Sequence, residues 1–223
     1  MKGILLILIL TVPLPIASFG QKTNAANTVC TDQTARKISS RGITLGMKLS
    51  DVLNLLPLSN EDKQAARSSV AKQSHYGFSA YDFYPTRNDT KFEGIRSYNF
   101  RFFDEQLVSL GITYDQPKWK DVNEFGETII KTFNLPKIEN WRTLEQRRRE
   151  MWEKRRVGIE PPIRGELSLQ CENHFILLVA PYGYEGTEQP PEIMRLTVSD
   201  NRYIKVMLER ERKAYEEKKV FKP

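Results

Sequence analysis

Two runs of alternating residues in the middle of the chain constrain the fold most strongly. They cover residues 95–103 and 106–114, and only two residues separate them. In the first run Tyr98, Phe100 and Phe102 recur at every second position, so their side chains share one face of a strand. A hairpin with a dense aromatic face on one side predicts an antiparallel sheet that is covered on that side only.

Helical periodicity precedes each group of strands. We expect a helix that begins with Ser50 as its N-cap and ends before Pro57, followed by a second helix at 59–72. A strand from Tyr76 to Pro85 and the hairpin complete the first half. In the second half the expected helices are 119–133 and 143–156, and the expected strands are 166–171, 175–180, 193–198 and 203–208.

The order of these elements predicts an α+β protein built as a two-layer sandwich of helices on antiparallel sheet. We expect two tandem helix-helix-sheet units at 42–115 and 116–208, with either two sheets or one continuous sheet. Residues 21–41 are polar, which predicts an extended leader segment. Residues 209–223 alternate in charge and are expected to form a solvated helix or a frayed tail.

The first twenty residues predict export. Lys2 gives a positive start, residues 4–10 are an unbroken aliphatic run, and the small residues Ser18 and Gly20 fit a cleavage site after Gly20. Pro13 and Pro15 argue against a membrane-spanning helix, which needs about 20 apolar residues. An uncleaved anchor is the alternative. We expect a periplasmic or extracellular protein with no transmembrane segment in the mature chain.

The two cysteines, Cys30 and Cys171, are predicted to form a disulfide, because an exported protein meets no reducing thiol system. Two separate buried thiols are the alternative. Closing a loop this long stabilises a fold by about 4 to 5 kcal/mol on the chain-entropy model.

The start of the first helix carries a resemblance. The run Gly42-Ile-Thr-Leu-Gly-Met-Lys-Leu-Ser-Asp-Val is similar to the Gly-Met helix entry of the SmpA/OmlA outer-membrane assembly lipoproteins and of the β-lactamase-inhibitor proteins. The resemblance implies two helices packed on an antiparallel sheet, in a domain that acts by binding another protein. In this motif we expect Gly46 to allow a close approach and Met47 to fill the gap between helix and sheet.

No segment carries a catalytic signature. The tripeptide Ser199-Asp200-Asn201 and the pattern Ser69 to Lys72 match parts of the penicillin-binding enzymes, but the Lys-Thr-Gly strand is missing. Ser199 to Asn201 is better explained as a hairpin turn. We expect no enzyme activity, no cofactor and no metal site. An envelope hydrolase is the alternative function, with His75 or His174 as its candidate residue.

The most unusual local feature is a basic segment, residues 142–156, with seven basic and three acidic side chains. It could bind lipid phosphate, peptidoglycan carboxylates or an acidic envelope protein; the alternative is a solvated helix face held by Glu–Arg pairs one turn apart. Nucleic acid is not expected as a partner outside the cell. The function predicted is a non-catalytic binding or assembly module of the bacterial envelope, and a structural module without a ligand is a third possibility. The candidate interaction surface consists of Arg147, Arg148, Arg149, Trp152, Lys154, Arg155 and Arg156.

Overall fold

A computed structural model describes residues 30–86, 88–115, 117–143, 165–180 and 193–220 of the chain. Two single-turn 3-10 helices, Thr90–Phe92 and Ile138–Asn140, accompany the main elements. The helices of this part are α1 (Asp32–Arg36), α2 (Leu49–Leu55), α3 (Asn60–Lys72), α4 (Val122–Phe133) and α5 (Arg202–Val220). The strands are β1 (Ser39–Ser40), β2 (Ile43–Thr44), β3 (Phe78–Phe83), β4 (Ile95–Phe103), β5 (Gln106–Asp115), β6 (Arg142–Thr143), β7 (Gly165–Cys171), β8 (His174–Ala180) and β9 (Ile193–Asp200).

Seven strands form one antiparallel sheet in the order β3-β4-β5-β9-β8-β7-β6, and β1 with β2 forms a small separate hairpin. The two halves of the chain meet where β5 pairs with β9, from Ser109 opposite Ser199 to Asp115 opposite Ile193. The α+β class is therefore confirmed, and β3 to β5 of the first half share a single continuous sheet with β6 to β9 of the second half.

Alternation divides the sheet into two faces. Tyr98, Phe100 and Phe102 are fully buried on one of them, as predicted. The rings of Tyr98 and Phe100 are stacked at 5.4 Å, and the ring of Phe102 is tilted against Phe100 at 6.4 Å. Helices α1 to α4 supply the other side of this core. The approach of α4 is close: a Cβ on Gly126 would lie 2.9 Å from Cδ1 of Leu167 on β7.

The Gly-Met entry is tied by backbone hydrogen bonds to the β4–β5 hairpin. The amide of Gly46 donates to the carbonyl of Leu107 at 2.8 Å, and Leu107 in turn donates to the carbonyl of Met47 at 2.8 Å. The amide of Leu49, the first residue of α2, donates to the carbonyl of Glu105 at 2.8 Å. A helix start that is satisfied by a neighbouring turn needs no side-chain cap.

Two details expected of this entry are therefore wrong. Ser50 is not the N-cap; the N-cap is Lys48, two residues earlier, and it makes no side-chain capping bond. Gly46 is not in a tight contact either, since no atom lies within 4 Å of the position its Cβ would take. Its φ of +87° is the reason for glycine, because side chains disfavour that conformation.

The other helix and strand predictions need two corrections. Residues 203–208 are not a strand but the first turns of α5, and Ser199 to Asn201 connects β9 to that helix instead of forming a hairpin turn. The leader expected to be extended contains α1, which Thr31 caps by accepting from the amide of Thr34 at 3.3 Å. The expected helix at 143–156 lies outside the described residues beyond Thr143.

The predicted disulfide is confirmed. Cys30 and Cys171 are bonded across 141 residues, and both side chains are buried. The bond fixes the segment before α1 to the end of β7. Within the described part of the chain, no helix is both long enough and apolar enough to cross a membrane.

Candidate functional site

The second face of the sheet, here called the open face, is the candidate site. Helices α1 to α4 all pack on the opposite face. Among the described helices only α5 contacts the open face, and it does so at one end of that face. A depression of about 470 Å³ lies on the open face. Its lining includes Asp82, Tyr84, Ser97, Asn99, Arg101, Ser109, Gly111, Thr113, Phe175, Leu177, Arg195, Thr197, Ser199 and Tyr203.

Arg101 on β4 is one of two arginines that line this depression. Its Nε donates to Oδ1 of Asn99 at 3.3 Å, and its guanidinium lies 6.0 Å from the ring centroid of Phe78. Asn99 in turn donates through Nδ2 to the carboxylate of Asp82. The hydrogen bond through Nε therefore holds the guanidinium group against the sheet, although Arg101 as a whole is exposed.

Arg195 on β9 is the second arginine, and it is held in the same way. Its Nε donates to Oγ1 of Thr113 on the neighbouring β5 at 3.4 Å, and the residue is exposed. Neither Arg195 nor Arg101 forms an ion pair with a carboxylate among the described residues. Both guanidinium groups are therefore positioned by neutral neighbours, and the described part of the chain places no carboxylate in an ion pair with either of them.

Small and hydroxyl-bearing side chains form the floor between the two arginines. Gly111 lies at the centre, where an added Cβ would come within 3.2 Å of Cβ of Asn99 and 3.8 Å of Oγ1 of Thr197. Next to it the hydroxyls of Ser109 and Ser199 are hydrogen bonded at 2.7 Å. The side chains of this floor are polar and short, so a ligand can approach the sheet between the two arginines.

Helix α5 forms a wall at one end of the open face. The ring of Tyr203 stacks on Phe78 at 5.7 Å and contacts Phe103 at 6.0 Å. Further along the helix Arg210 donates from Nη1 and Nη2 to the two carboxylate oxygens of Asp104 at 2.8 and 2.7 Å. The pair lowers the pKa of Asp104, chiefly through these hydrogen bonds and against the effect of burial.

His174, one of the two histidines considered at the sequence level, lies away from the open face. Its ring is fully buried on the core face, with Nδ1 donating to Oδ1 of Asp32 at 2.6 Å and Nε2 3.8 Å from Oδ2 of Asp200. Burial acts to raise the pKa of Asp32, but hydrogen bonds from Asn173 and His174 outweigh it, and this pKa lies well below its usual value.

The other histidine, His75, is exposed, and its backbone exchanges hydrogen bonds with Phe78 at 2.7 and 2.8 Å. The structure thus does not bring the two histidines together in one site. No group of three or more His, Cys, Asp or Glu side chains able to share a metal ion occurs among the residues described.

The candidate interaction surface predicted from the sequence, Arg147 to Arg156 with Trp152 and Lys154, lies outside the described residues. Arg101 and Arg195 were not singled out as site residues. The alternation of β4 was a usable signal for Arg101, because the strand that buries Tyr98, Phe100 and Phe102 must present its odd-numbered residues on the other face.

Known proteins add no assignment. No family model, curated protein or solved structure matches this chain. A function can therefore be inferred only from the sequence and from the geometry of the open face.

Proposed function

We propose that this protein is an exported, non-catalytic binding or assembly module of the bacterial cell envelope, and that it holds a partner protein on the open face. The observation that supports this function most directly is the division of the sheet. One face is packed by four helices, while the other carries two exposed arginines around a low polar floor, and no carboxylate of the described residues pairs with either arginine. Convergent polar groups in a depression are typical of a binding surface.

Two observations support export of the protein from the cytosol. Residues 1–20 have the composition of a cleavable signal peptide. The disulfide between Cys30 and Cys171 is consistent with an oxidising compartment outside the cytosol.

We also infer that the two halves are tandem units. The strands β3, β4 and β5 form one antiparallel meander, and β7, β8 and β9 form another. The units would then join through their last strands, since β5 pairs with β9. A joint of this kind makes one broad sheet, and hence one broad open face, from two small units.

The envelope hydrolase proposed as an alternative has no observation in its favour among the described residues. One of its two candidates, His174, has a ring that is fully buried between two carboxylates, so a substrate could not reach the ring without a rearrangement. The basic segment around Arg147, Arg148 and Arg149 is retained as a second candidate surface.

Site-specific photo-crosslinking in the native envelope tests the function. A photoreactive amino acid replaces Thr197 at the centre of the open face or, as the matched control, Ser68 on the exposed side of α3. We expect a defined protein to be captured from position 197 and not from position 68. Capture from neither position, or equal capture from both, would contradict the proposed function.

The basic segment is tested in the same assay. The variant with Arg147, Arg148 and Arg149 changed to glutamate carries the crosslinker at position 197. If this segment forms part of the interface, capture falls although the open face is unchanged. Undiminished capture removes the segment from the interface and leaves the open face as the binding surface.

A further inference from the structure

The distance between the two arginines of the open face determines what kind of ligand can use both. Arg101 lies opposite Ser109, which lies opposite Ser199, while Arg195 is four residues from Ser199 on β9. Four residues of strand span about 13 Å, and two strand spacings add about 10 Å across the sheet. The two Cα atoms are therefore about 16 Å apart along a diagonal of the open face.

A small anion cannot bridge this distance. A free phosphate or carboxylate would contact one guanidinium and leave the other in solvent. An extended polypeptide rises about 3.4 Å per residue and places every second side chain on the same side. Side chains four residues apart in such a polypeptide are separated by about 14 Å. The flexible arginine side chains can span the small difference between this spacing and the distance of about 16 Å between the two arginine Cα atoms.

The exposed part of each arginine matches a carboxylate. Arg101 and Arg195 both use Nε for the sheet, so their terminal nitrogens Nη1 and Nη2 are available. Two parallel N–H groups of this kind bind the two oxygens of a carboxylate. Asp82 is the carboxylate that lines the same depression, and it accepts a hydrogen bond from Asn99.

We propose that the open face binds an extended acidic segment of a partner protein, with Arg101 and Arg195 each binding one of two carboxylates four residues apart. This inference rests on the proposed function and adds the chemistry of the partner. The segment crosses the floor at Gly111, where the absent side chain lets its backbone approach the hydroxyl of Thr197. The wall formed by Tyr203 limits its position at one end.

Fluorescence anisotropy with labelled heptapeptides provides the test. The probe is Ser-Glu-Thr-Val-Thr-Glu-Ser, whose two glutamates are four residues apart. The control peptides have the same composition with adjacent glutamates, or lysine in place of both glutamates. We expect saturable binding of the probe that is at least about tenfold tighter than that of either control, and that weakens as salt is added.

The protein variants locate the binding site. Arg101→Gln together with Arg195→Gln is expected to weaken binding of the probe at least about tenfold. Arg67→Gln together with Lys72→Gln, a matched loss of two charges on the exposed part of α3, should leave it unchanged. Far-UV circular dichroism confirms that both double variants are folded.

Three results would overturn the inference: no saturable binding of the probe, equal binding of the peptide with adjacent glutamates, or unchanged binding by the Arg101→Gln/Arg195→Gln variant. Binding to phosphatidylglycerol vesicles that requires the same two arginines would replace the peptide with a membrane surface. Crosslinking from position 197 separates this inference from the function. If a partner is still captured in the Arg101→Gln/Arg195→Gln variant, the function stands and the acidic segment is wrong.

Discussion

Asp32, the first residue of the five-residue helix α1, connects that helix to the sheet. Its Oδ1 accepts from the backbone amide of Asn173 at 2.9 Å and from His174 at 2.6 Å, while Oδ2 accepts from Nδ2 of Asn173 at 2.8 Å. The carboxylate thereby joins α1 to the turn between β7 and β8, beside the disulfide of Cys171. The disulfide and these hydrogen bonds together fix the start of the described chain to the sheet.

Asp32→Asn should lower the free energy of unfolding by about 1 to 2 kcal/mol at pH 7, because the charged acceptor of three hydrogen bonds is lost. The folded pKa of Asp32 is depressed, so its contribution is present above the unfolded value of about 3.9 and is lost as the pH falls through the folded pKa. The difference between wild type and variant should therefore shrink below about pH 4. Urea unfolding from pH 7 to pH 3 measures it.

The matched control for Asp32 is Asp115→Asn, at an exposed carboxylate of β5. This variant should differ little from wild type at any pH in the series. A difference for Asp32→Asn that stays constant down to pH 3 would show that the ionised carboxylate is not what stabilises the segment.

At the scale of elements, α5 depends on few contacts for its position. Arg210 binds Asp104, reaches the carbonyl of Tyr76 at 3.3 Å and lies 4.7 Å from the ring centroid of Phe103. Gly77, with φ of +88°, leaves the space that these groups occupy, since a Cβ there would come within 2.5 Å of the guanidinium. One side chain thus docks the helix against three parts of the sheet edge.

Arg210→Ala should release α5 from the sheet without unfolding β4 or β5. Hydrogen exchange followed by mass spectrometry is expected to show faster exchange over residues 203–217 and unchanged exchange over 95–115. Arg212→Ala is the control on the same helix, because its ion pair with Glu216 is fully solvent-facing at 3.9 Å. Equal acceleration in both variants would mean that helix propensity, and not docking, determines the protection of α5.

The same helix shows where local sequence patterns mislead. Ile204, Val206 and Leu208 alternate like the residues of a strand, yet in α5 they are 39, 40 and 53% exposed. None of these three side chains is buried, so their alternation does not mark the buried face of a strand. In β4 the alternation of Tyr98, Phe100 and Phe102 is matched by complete burial, and that strand was predicted with its observed bounds.

The candidate site was predictable only in part for a related reason. Local alternation places Arg101 on the open face, but the position of Arg195 relative to it depends on the pairing of β5 with β9. That pairing joins residues about 80 to 90 positions apart, and nothing in either strand alone specifies its partner. The α1 helix was missed because it has five residues and only Ala35 of them is buried.

At the scale of the whole molecule, the two halves share one sheet and one core, so we expect them to unfold together. The strand β5 would lose seven paired residues if the second half were removed. Its own buried residues Leu110 and Ile112 would then lose their cross-strand neighbours Val198 and Leu196 on β9. The disulfide adds a covalent link between the segment that precedes the first half and β7 of the second half. A fold connected in this way should behave as a single cooperative unit.

Pulse-labelled hydrogen exchange across a urea series tests this expectation in the intact chain. Peptides covering β4 and peptides covering β8 should lose protection at the same urea concentration. A fragment of residues 30–115 with Cys30→Ser should lack protection of β4 altogether, because β5 becomes an uncovered edge strand. Two separate midpoints, or a folded fragment, would instead mean that each half of the chain is stable by itself and that the open face is assembled from two independent domains.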